Sequence, residues 1–213
     1  MEVEKGLTEY TSLETLPHFK LNIQLPVECK EELMNINDYC GLVLDNKVRE
    51  ATRRRYRATS KGHAFRSYAS FKDAYNLNFD KEFIRTESWH KIPKTTKWLT
   101  SNLCDEDDMG MVCLHKITAG GWVDWHSHGE YGLSIVHFSL QTNEDDLSEV
   151  WNQSDNTIDS MNYPELEGYI FNSFLQHRST NFSEQDRIHL VVECDPNNER
   201  FQNLYTKAQR TLD

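Results

Sequence analysis

The sequence predicts a mainly β fold, a sandwich or rolled barrel of short strands set behind an N-terminal helical layer. Two observations carry that expectation. After Asp105 the chain becomes a succession of short stretches rich in β-forming residues, divided by turn material. Before it, the periodic segments are short and helical in character.

Taken in order, Glu28 to Tyr39 (ECKEELMNINDY) follows Pro26, carries apolar residues at Leu33, Met34 and Ile36, and reads as a short helix. Asn46 to Tyr56 reads as a second, with Asn46 as a candidate cap. Thr95 to Leu103 reads as a third. The expected strands are Met111 to Ile117 (MVCLHKI), Trp122 to His126, Leu133 to Leu140 (LSIVHFSL), Gly168 to Asn172 and Arg187 to Cys194 (RIHLVVEC). Ala119-Gly120-Gly121, Gly129 to Gly132, Gln141 to Asp146 and Thr180 to Asp186 supply turns between them. No internal repeat or low-complexity stretch is present. Short strands at this spacing point to a sandwich or barrel.

The length of 213 residues fits one domain. The expected division is a helical or irregular flanking layer over 1–105, a β core over 106–196, and a tail or helix over 197–213. Five Trp, nine Tyr and ten Phe are too many for a disordered chain.

The net charge of −11 is uneven: residues 1–100 hold 17 Lys+Arg against 14 Asp+Glu, and the remainder holds 6 against 20. A nucleic-acid backbone would be repelled by that second half, so no nucleic-acid partner is expected. The basic charge concentrates in Lys47 to Arg66, which reads either as a solvated face offsetting the acidic half or as a cradle for an acidic substrate. No apolar run reaches membrane-spanning length. Met1 to Phe19 is polar, without a signal core. The five scattered cysteines form no CxxC pair and read as reduced thiols. These features point to the cytoplasm and away from cysteine metal ligation.

The chemistry-bearing signal is a cluster of six histidines on or beside the expected strands: His115, His126, His128, His137, His177 and His189. A single strand histidine is usually structural. His126-Ser-His128, however, puts two imidazoles on one face of an extended segment. His177 follows about fifty residues later, and a sheet rolled on itself brings such distant strand ends together. Imidazoles with open coordination positions suit ferrous oxygenase chemistry. Zinc hydrolysis fits less well, since no HExxH helix or cysteine knuckle is present. Arg187 lies ten residues beyond His177. Its planar fork suits a carboxylate, so it is either a structural ion-pair partner or an anchor for the far carboxylate of a 2-oxo diacid chelating a metal.

Ile117 to Leu140 (ITAGGWVDWHSHGEYGLSIVHFSL) and Ile170 to Val192 (IFNSFLQHRSTNFSEQDRIHLVV) resemble the two site blocks of the aspartyl/asparaginyl β-hydroxylases, a family of 2-oxoglutarate oxygenases. The resemblance covers roughly residues 110–195. It implies a double-stranded β-helix, a jelly-roll or cupin-like barrel, with N-terminal flanking helices. It also implies Fe(II), 2-oxoglutarate as co-substrate, dioxygen, and hydroxylation of a C–H bond in an amino acid, peptidyl side chain or other small polar substrate. His126 falls on the family's first metal ligand and His177 on its second. Arg187 falls on the co-substrate arginine, His137 on a co-substrate histidine, and His115 on a position that often holds a small polar co-substrate contact.

Two positions depart from the pattern. His128 stands where the family usually has a small residue and where other oxygenases of this fold carry Asp or Glu. It reads as a third ligand, an orienting donor or a substrate contact, with Asp124 and Glu130 as neighbouring carboxylates. Ile135 stands where the family often has an additional arginine. Trp122, Trp125 and Tyr131 read as pocket walls or core. Arg66, Arg53 to Arg55 and, last, Arg178 are candidates for a substrate carboxylate.

Two other readings remain. Gly120 followed by His126-x-His128, with His177-x-x-x-Asn181, resembles the cupin motifs, which implies a metal-dependent dioxygenase or isomerase using three histidines without 2-oxoglutarate. The other is a non-catalytic binding protein on the same barrel.

Overall fold

The computed structural model describes residues 17–39, 60–68, 83–127, 134–173 and 175–209. Among the described residues, eleven strands form two sheets: β1 (His18–Gln24), β2 (Ser60–Tyr68), β3 (Phe83–Arg85), β4 (Met109–Ile117), β5 (Trp122–His126), β6 (Ser134–Gln141), β7 (Asp146–Asn152), β8 (Thr157–Met161), β9 (Glu167–Phe171), β10 (Gln176–Asn181) and β11 (Arg187–Cys194). The larger sheet runs β1-β9-β6-β11-β4-β2-β3 and the smaller β5-β10-β7-β8. From β4 onward, consecutive strands divide between the sheets in the order of a double-stranded β-helix. The fold expectation therefore stands, with one correction: the two sheets face each other without closing into a barrel.

The 1–105 region is also corrected. It is more than helical or irregular, because β1, β2 and β3 extend the edges of the larger sheet. Its helices are shorter than or offset from those expected: α1 (Val27–Met34) and α2 (Pro93–Asn102), the latter opened by proline at its first position. The Asn46 to Tyr56 helix lies outside the described residues. A third helix, α3 (Glu199–Gln209), occupies the region left as tail or helix.

The two faces of the larger sheet have opposite chemistry. Strand side chains alternate, so Val112 and Leu114 of β4, Val136, Phe138 and Leu140 of β6, and Ile188, Leu190, Val192 and Cys194 of β11 share the outer face. They pack with Cys29, Leu33, Leu99, Phe201 and Tyr205 of the three helices into the principal hydrophobic core. Trp98 meets Phe138 edge-on at 5.6 Å. Gly168 is required by this packing, since a Cβ there would sit 2.7 Å from Ile23 Cγ2 and 2.9 Å from Phe138 Cε1. The alternate residues, His115, His137, Ser139, Arg187 and His189, face the smaller sheet. The principal apolar core thus lies outside the sandwich, and the interior is lined by polar side chains together with two small apolar clusters. Four described cysteines, Cys29, Cys104, Cys113 and Cys194, are buried free thiols.

Candidate metal centre

His126 ends β5 and His177 sits near the start of β10, and antiparallel pairing sets the two directly opposite each other. Their ring centroids are 4.2 Å apart. A register shift creates the convergence. His177 pairs with His126 but Ser179 pairs with Val123, so β5 carries one residue more than β10 between those rungs. Such a bulge re-aims side chains: Val123 and His126, three apart, both oppose residues of one β10 face.

Both rings are held in one tautomer by their own strands. His126 Nδ1–H donates to the Asp124 carbonyl at 2.7 Å, and His177 Nδ1–H to the Leu175 carbonyl at 2.9 Å. Because a carbonyl only accepts, Nδ1 carries the proton in each ring and Nε2 the lone pair. Backbone carbonyls orient metal-binding histidines in this way. The donor set suits a first-row divalent ion. Among the described residues, no group of three His, Cys, Asp or Glu side chains could hold a metal. His128, Glu130 and Tyr131 lie outside those residues. The Asp124 carboxylate accepts the Trp125 N–H at 2.9 Å instead of turning to the histidines.

Arg187 opens β11 and is 1% exposed. Its Nε–H donates to His189 Nε2 at 2.8 Å, Nη1 to the Leu147 and Thr180 carbonyls at 2.6 and 2.8 Å, and Nη2 to Ser148 Oγ at 2.7 Å. No carboxylate among the described residues forms an ion pair with it. Burial pulls the guanidinium down to about 10, against the opposing pull of Asp146 and Tyr163. An uncompensated buried charge is costly, and one N–H of Nη2 remains beyond its bond to Ser148.

His115 and His137 share this interior, within electrostatic reach of Arg187 and of one imidazole of the pair each. Enclosure, then Arg187 and His126, lower His115 to about 4. Enclosure, then His115, Arg187 and His177, lower His137 to about 3. Both rings are neutral at pH 7. The His137 ring centroid is 5.9 Å from that of His189 and 6.3 Å from that of Tyr163. Ile135 packs with Cys113 and Val191 into a small apolar cluster, so that position adds no positive contact.

Other expectations change. Trp125 is not a wall of this interior: the Arg178 guanidinium lies 4.8 Å from its ring centroid, and Trp151 packs edge-on at 6.3 Å. Arg178 makes a two-point ion pair with Glu149 at 2.6 and 3.0 Å. Arg66 braces β2, donating to the Met109 carbonyl at 2.8 Å and to Glu106 at 3.4 Å, so it is no substrate anchor. Arg53 to Arg55 lie outside the described residues. Asn181, of the cupin-like spacing, clasps two loops. Its amide donates to the Ile117, Thr118 and Gln185 carbonyls, and its carbonyl accepts from Ser183.

Three side chains of this interior were given no contact role by the sequence: His189, counted in the histidine cluster, and Ser148 and Tyr163, which were not singled out. His189 was legible in principle, two residues beyond Arg187 and therefore on its face. Ser148 sits on a strand where only turn material was seen nearby. Tyr163 sits in a connection with no distinguishing pattern.

No curated protein matches the sequence. Among solved structures, the chain is similar to an oxalate decarboxylase from Lactobacillus farciminis in complex with formate, at 13% identity over 66% of this chain and 30% of that one, with a TM-score of 0.38. It is also similar to a cupin domain from Bordetella pertussis Tohama I, at 15% identity over 39% and 79%, TM-score 0.32. A third is Peruvianin-I, a cysteine peptidase from Thevetia peruviana latex, at 14% identity over 41% and 52%, TM-score 0.34. The chain spans about half of the Peruvianin-I chain and under a third of the decarboxylase. A family model for aspartyl/asparaginyl beta-hydroxylase matches residues 34–196, most of the sequence and all of the strands that carry His126, His177 and Arg187. The chain belongs to the aspartyl/asparaginyl β-hydroxylase family.

Proposed function

We propose that this protein is an Fe(II)- and 2-oxoglutarate-dependent hydroxylase acting on a C–H bond of an amino acid, peptidyl side chain or other small polar substrate. The observation that carries the reading is the buried Arg187 guanidinium. It has no carboxylate partner among the described residues and shares one interior with two imidazoles whose ring centroids are 4.2 Å apart and whose Nε2 atoms keep their lone pairs. A dicarboxylate reaching from metal to guanidinium resolves both halves: it completes the coordination of the ion and compensates the charge.

His126 and His177 would hold the iron, with His128 as a candidate third ligand. Bound iron and 2-oxoglutarate supply the oxidation, in which dioxygen is consumed, the oxo acid leaves as succinate and carbon dioxide, and a substrate C–H becomes C–OH. The chain's own tasks are positional. Arg187 would anchor the remote carboxylate through Nη2. His189, as acceptor of the Nε–H, fixes the plane of the guanidinium. His115 and His137, neutral and beside the charge, would contact the co-substrate without competing for it. Val150, Tyr163 and Tyr169 form an apolar wall within the same interior, which limits water.

A second reading draws on a specific observation. Four N–H groups of Arg187 already end on protein acceptors, as expected of a structural arginine in a metal-dependent dioxygenase or isomerase that uses no 2-oxo acid.

Anaerobic titration separates the two. Fe(II) with 2-oxoglutarate should give a weak visible charge-transfer band, lost in Arg187→Ala, whereas His177→Ala should lose iron binding itself. Iron binding without that band in the wild-type protein would favour the second reading. Succinate release across a panel of amino acids and peptides then identifies the substrate.

A further inference from the structure

The polar interior continues past Arg187 to the N-terminal strand. Arg187 Nη2 donates to Ser148 Oγ at 2.7 Å. The Ser148 hydroxyl hydrogen-bonds Tyr163, whose own hydroxyl lies 2.8 Å from His18 Nδ1. The other nitrogen of His18, Nε2, lies 3.3 Å from the Asp159 carbonyl. The two ends of this chain determine the direction of every bond between them. A guanidinium only donates and a carbonyl only accepts. His18 Nε2 therefore carries the proton, and Nδ1 of the neutral ring holds the lone pair. Tyr163 donates its O–H to that lone pair, Ser148 donates to Tyr163, and Ser148 accepts from Arg187. Burial lowers the pKa of His18, which favours the neutral ring the scheme needs. Tyr163 has little freedom to turn away: it is 1% exposed and stacks on Tyr169 with centroids 4.5 Å apart and planes 6° from parallel.

We propose that Ser148, Tyr163 and His18 are positioning residues for Arg187, forming a one-directional hydrogen-bond chain that fixes the guanidinium and thereby sets the affinity for a 2-oxo diacid. This rests on the reading of Arg187 as co-substrate anchor. Bonds that all run one way polarise one another, so the chain acts as a unit. Its terminal ring comes from β1, upstream of the residues 34–196 matched by the family. The device is thus built partly from sequence outside the family's shared region.

The test uses the full-length protein and two independent readouts. Dissociation constants for 2-oxoglutarate, measured anaerobically on the Fe(II) protein, should rise about 3- to 10-fold in both Tyr163→Phe and His18→Phe, the loss expected for one hydrogen bond. Iron affinity should not change. The double variant should be no weaker than either single one, since the two act through one chain. His18→Gln, which keeps an acceptor, should recover part of the loss and guards against misfolding of the bulkier variant. Histidine-selective nitrogen NMR on the metal-free protein should show the Nε2–H tautomer at His18. An Nδ1–H tautomer there overturns the chain, as does wild-type 2-oxoglutarate affinity in both single variants. A wild-type protein that binds iron but no 2-oxoglutarate overturns the co-substrate reading instead, and the His18 tautomer still decides the chain.

Discussion

The interior imidazoles make the apo protein acid-sensitive. His115 and His137 are held neutral by enclosure, at about 4 and about 3 against an ordinary value of 6.5. The unfolded chain takes up protons at these groups as pH falls through 6.5, while the folded chain does not until the lowered values are reached. Between those limits the unfolded state binds more protons, so stability declines with acidification. Urea midpoints of the metal-free protein should therefore fall steadily from pH 6.5 to pH 4 and stay flat above 7. His137→Asn should flatten that slope. At this scale the sequence was partly legible. Imidazole spacing pointed to His126 and His177, and their opposed register accords with it. The engagement of Arg187 with Leu147, Ser148 and Thr180 was not legible, because these three bonds are to backbone carbonyls or to a serine that no pattern distinguishes.

Among the elements, β5 matters most to the site, and its irregularity is what matters. The bulge absorbs the extra residue between the Val123 and His126 rungs. Deleting Asp124 leaves Val123 and His126 two apart, so regular alternation keeps the ring on the same face but removes the carbonyl that holds its Nδ1–H. Fe(II) binding by calorimetry should then weaken without vanishing, while the far-ultraviolet spectrum keeps its β character. In β9, Gly168→Ala drives a methyl group into Ile23 and Phe138. A loss of about 1–3 kcal/mol is expected from overpacking of this kind, read as a lower denaturation midpoint. The strands missed by sequence reading, β1, β2, β3, β7, β8 and β10, were missed for two reasons. β7, β8 and β10 are polar, and β8 is an exposed edge with almost no buried residue to impose an apolar rhythm. β1, β2 and β3 lie in the segment that read as helical or irregular. β11 was legible because it is buried on both sides.

Over the whole molecule, the sandwich class followed from strand spacing, and histidine spacing singled out two rings that the pairing sets opposite each other. The open arrangement of the two sheets did not follow, since closure depends on edge hydrogen bonds that no side-chain pattern encodes. No helix among the described residues is long and apolar enough to cross a membrane. The larger sheet separates two tasks by its two sides. Ile188, Leu190 and Val192 meet the helices, while Arg187 and His189 meet the site. A saturation scan of β11 should accordingly show two superimposed rhythms of period two. Replacements at Ile188, Leu190 and Val192 should lower the melting temperature with turnover intact below it. Replacements at Arg187 and His189 should abolish turnover at a nearly unchanged melting temperature.

That division has a practical corollary for laboratory evolution. In most enzymes, altering the lining of the reaction chamber also weakens what keeps the chain folded, so new specificities arrive with poor expression. Here the principal apolar core sits on the far side of the larger sheet, so the polar lining between the sheets can be rewritten with little penalty to yield.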